Sequence, residues 1–591
     1  MPPPLANAAR GRQSSGPEPR IHYIVFRAFE GMDTQSNRVG QAPTKLAWLE
    51  NLQPIGTNDL IQVPGPTASI TTIAGQTVSK TFFATYGGND YAIVFTVAGA
   101  GYQVNLAGGG QVQFAPPGTF TNPDCVQFAS DRILIADPSA SYCTWDGTVF
   151  VKSGGVSPNI VVTNGGSGYT SVPSVTISGG SGGGATAVAT VVNNIVVSVQ
   201  LTAAGSGYKA GDVLTVTFGG PGINAAATAI VWPILTFPNL STLAVFQGRV
   251  WIAGNRTLFW TGTKGFDDAN AANASGSSIL SDSDLPHQIT ALRSLNNFLY
   301  IFGDGSLKQI GTIAVSGSTT LFTITTLSSD QGTTFPQSIA AYNRLVLFAN
   351  FVGVFAIFGA TVEKISDPMD GVFRAIDFSR LPSAVSTDIN NVRVYMLLVK
   401  YNDPVLGPRS IFLSFMNRKW FVISQGSSIL ACLDAHVGGV SQIFTSSGND
   451  ITRVLADPTV STSITVRTAL ADNNLPMQGK RTIRLGVAQS SSVIGTMTVT
   501  SDSENSSNSS TYQFSLPVNW INNTGGVITW LNNSSGLVTF SGPGFLFQDV
   551  QLGNSGIYLG CSLMGTFSGF HLNNIVLEYE DAAVMRSRNH P

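Results

Sequence analysis

The segment 249–262, RVWIAGNRTLFWTG, decides the fold: an apolar strand, a Gly-Asn turn, then a second strand carrying bulky aromatics. The unit returns as NFLYIFGDGSLKQIG at 297–311, RLVLFANFVGVFAIFG at 344–359 and VSQIFTSSGNDITRVL at 440–455. A longer version runs from Arg393 as RVYMLLVKYNDP and comes back through SIFLSFMNRKWFVIS at 410–424. Starts at 249, 297, 344, 393 and 440 lie 48, 47, 49 and 47 residues apart. A period of about 40 to 50 residues, each holding about four short strands, predicts an all-β protein built as a β-propeller. One small sheet cannot bury both its faces, whereas a ring of them buries each against its neighbours and leaves few open edges.

Working outward, DRILIADPSASYCTWDG at 131–147 and DYAIVFTVAGAGYQVNL at 90–106 extend the array. From Asp131 to Arg249 is 118 residues, and removing an inserted segment of 81 residues, 152–232, leaves 37. Six or seven blades are therefore expected, over 81–151 and 233–456. A pair of stacked β-sandwiches would also space strands evenly but does not call for a near-constant period.

The insertion is Gly-rich, with only Lys152, Lys209 and Asp212 charged, and it is duplicated. SGYTSVPSVTISGGSGGGATAVATVV at 167–192 is echoed by SGYKAGDVLTVTFGGPGINAAATAIV at 206–231, so Tyr169 and Tyr208 are 39 apart. Alternating small and branched residues predict narrow β-strands in a compact module carried on an exposed loop. Residues 457–591 read as a separate C-terminal β-sandwich with a flexible Ser/Asn tract, SDSENSSNSSTY at 501–512. Residues 21–80 read as an N-terminal extended platform ending in the turn VPGP at 63–66, and 1–20 as a disordered or docking arm. That arm has no apolar core of a signal peptide. The apolar run Leu345 to Val362 approaches a membrane span in length, but it aligns with hairpins that could not cross one.

Composition narrows the chemistry. Of 591 residues 43% are hydrophobic and 11% charged, against about 25% charged in an average soluble protein. Lys+Arg 31 against Asp+Glu 33 gives a net charge of -2, which argues against gripping nucleic acid through a broad basic surface. Cys125, Cys143, Cys432 and Cys561 are scattered without zinc-type spacing, and read as buried thiols. His22, His287, His436, His571 and His590 are too dispersed for a metal set. Gly180-x-Gly182-x-x-Ala185 superficially matches a dinucleotide fingerprint, but a strand pattern follows where a helix is needed, so a tight turn is expected. Asp267, Asp268, Asp282 and Asp284 could bind calcium or act as acid and base, yet lack a closing Glu and read as a solvated loop. Ser328-Ser-Asp330-Gln-Gly332-Thr-Thr334-Phe335 resembles the Asp-box of sialidase-like propellers, an architectural turn even in enzymes. No catalytic, cofactor-binding or metal residues are therefore expected, and no cofactor. The N-terminus through Lys45 carries a charge of +3.

The layout resembles the tail nozzle (tail tubular, or packaged-DNA-stabilising) proteins of short-tailed bacteriophages. KLAWLENLQPIGTNDLIQVPG at 45–65 is similar to that family's opening segment. LAVFQGRVWIAGNRTLFWTG at 243–262 is similar to its typical blade, with ITALRSLNNFLYIFG at 289–303 following. GTTFPQSIAAYNRLVLFANFVGVFAIFG at 332–359 and EKISDPMDGVFRAI at 363–376 look like the next two. The likeness runs over most of 21–456 as a pattern of positions; the place of the duplicated module within the propeller departs from it. The resemblance implies a non-enzymatic virion protein, a homohexamer below an adaptor or portal-side connector ring, with tail fibres or spikes as further partners. It would retain viral double-stranded DNA and let it pass without sequence-specific binding. The module around Tyr169 and Tyr208 is then a candidate tip or gate, and Arg20, Arg27 and Arg38 are candidates for docking the adaptor. Two rivals are a carbohydrate-binding or sialidase-like propeller at a cell surface, which would need an aromatic-lined axial pocket, and a secreted adhesin of β-repeats.

Overall fold

Short apolar runs punctuated by Asn and Gly turns fold into antiparallel hairpins, and seven groups of four strands follow one another around the propeller, six of them as four-stranded sheets of their own. The computed structural model describes residues 20–581 except 236–237, 282–284, 427, 490–494, 515–519, 522–526, 529, 532–536 and 539–549. Blades 1 and 2 span 78–115 and 124–151; blades 3 to 6 span 240–279, 289–328, 340–364 and 383–423. Blade 7 takes three strands from 429–454 and its fourth, Ser69–Thr72, from upstream of blade 1. The count is thus seven, the upper of the two expected. The apolar run 345–362 is the central hairpin of blade 5, Leu345–Ala349 with Val354–Phe358. Among the described residues no helix is long and apolar enough to cross a membrane.

The landmarks of the sequence period are the second strands of the blades. Arg249–Gly254 is buried at every position, and Arg132–Asp137, Phe298–Gly303 and Leu345–Ala349 at all but the first. A strand covered on both faces by neighbouring sheets cannot alternate polar with apolar, so it reads as a continuous apolar run. Hydrophobic clusters fill the seams between blades 1 and 2, 2 and 3, 3 and 4, 4 and 5, and 7 and 1. Trp251, Leu258 and Trp260 of blade 3 meet Leu292, Leu299 and Ile301 of blade 4. Tyr300 and Phe302 of blade 4 meet Phe348 and Phe355 of blade 5. The ring closes where Val78, Ala92 and Val94 of blade 1 pack on Ala431, Leu433 and Phe444 of blade 7, with Ile73 in the same cluster.

The closing strand is pinned at both ends. The Thr67 amide donates to the Arg453 carbonyl at 2.9 Å and the Ile73 amide to Asn449 at 2.9 Å. Just upstream, the Gly65 amide donates to Asp457 at 2.8 Å, so the two ends of the propeller segment lie side by side.

The chain divides into two compact units, Val63–Val460 and the two termini together, Met1–Gln62 with Ser461–Pro591. This differs from the expected domains. The platform 21–80 is not one unit: 21–62 joins the C-terminal strands, 69–72 closes blade 7 and Val78–Tyr86 opens blade 1. In the terminal unit, His571–Asp581 pairs with Ile21–Phe26, with Lys480–Gln489 and with the end of the hairpin Leu52–Gln62. A second sheet runs Leu46–Glu50, Thr462–Thr468, Leu559–Phe567, Gly495–Ser503, Ser507–Phe514. The Thr482 and Ser501 hydroxyls, one from each sheet, are 2.8 Å apart. The Ser/Asn tract, expected as a flexible loop, is instead the hairpin of the last two strands. Glu504 at its turn accepts from the Ile557 and Tyr558 amides at 2.7 and 2.9 Å. Small hydroxyl residues recur there in extended backbone, a strand pattern that composition alone reads as loop.

Ring closure gives a direct expectation. Ile73 is 1% exposed in the cluster joining the last blade to the first, and Ile73→Ala should cost about 2–5 kcal/mol. Urea denaturation followed by tryptophan fluorescence measures it; an unchanged midpoint would contradict the role given to this seam.

Candidate functional site: the propeller axis and the inserted module

The first strand of each blade and the loop before it meet at one cavity of about 640 Å³. Its wall takes residues from all seven blades, including Lys80, Asn122, Ser241, Thr290, Gln337, Arg380 and Leu430, and only the axis of the ring is common to all of them. No aromatic and no carboxylate side chain is among its described lining residues. The rival reading as a sugar-binding propeller expects an aromatic platform there. A second cavity of about 160 Å³ shares Pro336 and Gln337 and reaches Phe82, Arg293, Cys432 and Asp434.

Between the blades the axial wall is held by a buried ion pair. Asp124 at the start of blade 2 accepts from Arg293 Nη1 of blade 4 at 2.8 Å and from the Thr242 hydroxyl of blade 3 at 2.6 Å. Arg293 Nη2 donates onward to the Pro336 carbonyl at 3.1 Å. One carboxylate thus ties three blades together and a fourth follows through its arginine. Lys80 Nζ donates to Asn122 Oδ1 at 2.5 Å and to the Pro123 carbonyl at 3.0 Å, with no carboxylate in ion-pair contact among the described residues. Burial lowers its ammonium to about 8, with Asp124 pulling it back up and Arg293 pushing it further down. Sequence reading passed over Lys80, Asp124, Arg293 and Arg380. The available signal was a lone charge at the head of an inner strand, as in VSKTFF and PDCVQF, in a chain with few charges.

The Asp-box residues do close a turn. Ser328 Oγ donates to Asp330 Oδ1 at 2.8 Å and accepts from the Gln331 amide at 3.0 Å. Asp267 and Asp268 are buried, which corrects the solvated loop expected of them; Asp282 and Asp284 lie outside the described residues. Asp267 accepts from the Ser157 hydroxyl, at the neck of the insertion. Burial raises its carboxyl above the usual range against that bond. Beside it the Tyr142 hydroxyl donates to the Phe266 carbonyl at 2.8 Å, and Trp232 Nε1 to the Tyr142 carbonyl at 2.7 Å. Both ends of the insertion, Ser157 and Trp232, are clamped onto blades 2 and 3 by this cluster. Cys143, Cys432 and Cys561 are buried and Cys125 half-buried, all free thiols; burial pushes Cys432 and Cys561 up to about 12. Among the described residues no three His, Cys, Asp or Glu side chains converge as metal ligands.

The insertion folds as a four-stranded sheet, 174–218, with a two-stranded ribbon of Val161–Ser167 and Ile223–Thr228. Tyr169 and Tyr208 are buried inside it. A Cβ on Gly222 would sit 2.4 Å from the Tyr169 ring, and one on Gly182 2.5 Å from Tyr208. Each half's tyrosine therefore lies on the other half's glycine, which accounts for the duplicated SGY and Gly-x-Gly elements together. The Gly180–Gly182 turn runs into strand Gly183–Val192, with Asp212 accepting from the Ser181 and Lys209 amides at 2.8 Å each. The outer face bears exposed Val188, Val192, Ile195 and Val197. Of the arginines singled out for docking, Arg20 and Arg27 are exposed. Arg38 is engaged within the terminal unit, pairing with Asp502 at 2.9 Å and donating from Nε to the Thr468 carbonyl at 3.0 Å.

No protein-family model and no curated protein matches this chain. Solved structures similar to it share little sequence. The extracellular domain of the hybrid two-component system BT4673 from B. thetaiotaomicron is 9% identical, with a TM-score of 0.33 over 73% of this chain and 44% of that one. BamB from Moraxella catarrhalis is 12% identical, with a TM-score of 0.31 over 68% of this chain and 92% of that one. The N-terminal domain of Nup159 is 8% identical, with a TM-score of 0.30 over 69% and 99%. The chain spans about half the length of the BT4673 domain. The propeller is therefore argued from the strand pairing itself.

Two expectations follow from the geometry. Gly222→Ala should destabilise the module by about 1–3 kcal/mol through overpacking on Tyr169, read as faster amide exchange across 161–228; unchanged exchange would contradict the interlock. Between pH 8 and the ordinary lysine value of 10.5 the unfolded chain holds the Lys80 proton that the folded chain has released. Stability contributed by this residue therefore rises with pH across that window. Comparing urea midpoints of the native chain and Lys80→Met from pH 7 to 10.5 should show a steeper rise in the native chain, and parallel profiles would contradict the burial of its charge.

Proposed function

We propose that this chain is a structural virion protein, six copies of which form the tail nozzle of a short-tailed bacteriophage. The nozzle retains packaged double-stranded DNA and conducts it at infection without reading its sequence. An adaptor or portal-side connector ring and tail fibres or spikes are its partners, and the virion tail is its location. The observation that carries this reading is the order of parts along the chain. The segment 45–65 leads out of the terminal strands into a propeller whose blades carry the family-like stretches 243–262, 289–303 and 332–359.

Three properties support it. A net charge of -2 suits a conduit, since a basic wall would hold DNA through counterion release. Near the propeller axis the ion pair of Asp124 with Arg293 is spent on holding blades together. The inserted module presents apolar side chains with almost no charge, the surface of a part that meets other molecules; its place as tip or gate belongs to the same proposal. Arg20, Arg27 and Arg38 are the candidates for docking the adaptor; the first two are exposed, whereas Arg38 already holds Asp502 and the Thr468 carbonyl. A second reading, a carbohydrate-binding or sialidase-like propeller at a cell surface, is favoured by the axial cavity alone.

Native mass spectrometry and negative-stain microscopy of the full chain with its connector ring test the proposal. A six-fold ring with an open channel is expected. A monomer that ignores the connector and binds on a glycan array would overturn it in favour of the second reading.

A further inference from the structure

The axial cavity has more donors than it uses. Arg380 Nη1 donates to the Ser410 hydroxyl at 3.1 Å and to the Ile429 carbonyl, while its Nη2 is buried without a partner. Thr334 Oγ1, on the same wall, is also buried without a partner. Lys80 Nζ has two acceptors and a third proton to give. Neither Lys80 nor Arg380 has an ion-pair partner among the described residues, and no carboxylate lines this cavity. Nearby acids are committed elsewhere: Asp124 to Arg293, Asp137 to the amides of Thr121 and Asn122, Asp377 to Lys400 at 2.6 Å. Two cations and a hydroxyl with unfilled capacity, on residues of a wall that no carboxylate lines, form a site that lacks its acceptor.

We propose that the axial cavity of the propeller binds a small hydroxylated oxyanion, a polyol bearing a carboxylate or a phosphate, held between Lys80, Arg380 and Thr334. Size favours a body larger than a bare ion, because about 640 Å³ lies within the range of small-molecule sites. Gln337, Gln288 and Ser241 on the wall offer amides and a hydroxyl to the ligand's own hydroxyls. The wall without aromatic rings favours polar contacts over stacking on a sugar face. The proposal rests on the cavity alone and holds whether or not the chain builds a nozzle.

Lys80 supplies a signature that a merely structural lysine would not. Burial lowers its ammonium to about 8, and the charged groups around it are Asp124, Asp137, Arg293 and, across the cavity, Arg380. Asp434, on the wall of the smaller cavity, has its carboxyl raised by burial, and is the one further acid to be controlled, with Asp434→Asn. An anion that needs the charged amine should bind about tenfold more weakly at pH 9 than at pH 7.

The test is isothermal titration of the full chain with glucuronate, glucose 6-phosphate and glucose. Saturable binding of one or both anions, with glucose at least tenfold weaker, is expected, and the two anions tell carboxylate from phosphate. Arg380→Met and Lys80→Met should each weaken binding at least tenfold while the near-ultraviolet dichroism of the fold is kept. If either variant fails to fold, the tenfold loss from pH 7 to 9 in the native chain, retained in Asp434→Asn, decides. Absence of saturable anion binding, equal binding of glucose, or affinity flat across that pH range would overturn the proposal.

Discussion

A sheet of four short strands has two apolar faces and no way to cover both, and this constraint organises the whole propeller. Each seam must find a neighbour, so the array is stable only as a closed ring. Closure falls on Ser69–Thr72, which completes blade 7 from the other end of the segment. Pairing of Gly65 with Asp457 then brings entry and exit of the chain together. Segments flanking that junction, 21–62 and 461–581, fold as one unit although the 398 residues of 63–460 separate them in sequence.

The polar groups follow the same logic. With so few charges in the chain, those buried near the axis bridge blades or leave a cavity open to an anion. Asp124 gathers donors from blades 3 and 4, and breaking such a buried pair would strand a charge in low dielectric. The neck of the insertion uses a comparable cluster of Ser157, Asp267, Tyr142 and Trp232, so that a large module is carried without loosening blades 2 and 3.

How much of this was legible depended on burial. Second strands buried on both faces printed themselves as apolar runs at constant spacing, so the period and the blade class could be read directly. The closing strand SITT could not: it is short, polar and half-exposed, and its partner lies some 380 residues away. Asp267 looked solvated because its neighbours are turn-formers, yet its partner Ser157 is 110 residues upstream. The tyrosines of the duplicated module were found by repetition, but their role needed the glycines of the opposite half, a relation that repeats alone do not state. Lys80 and Arg380 lie on different blades and meet only at the axis, and no local pattern joins them.

Amide hydrogen exchange of the full chain, read by mass spectrometry, addresses ring closure most directly. Peptides covering 69–73 should exchange as slowly as those covering 440–454, because both belong to one cooperative sheet. Rapid exchange of 69–73 while 440–454 remains protected would mean that the last blade stands without its fourth strand, and the closed propeller would have to be abandoned.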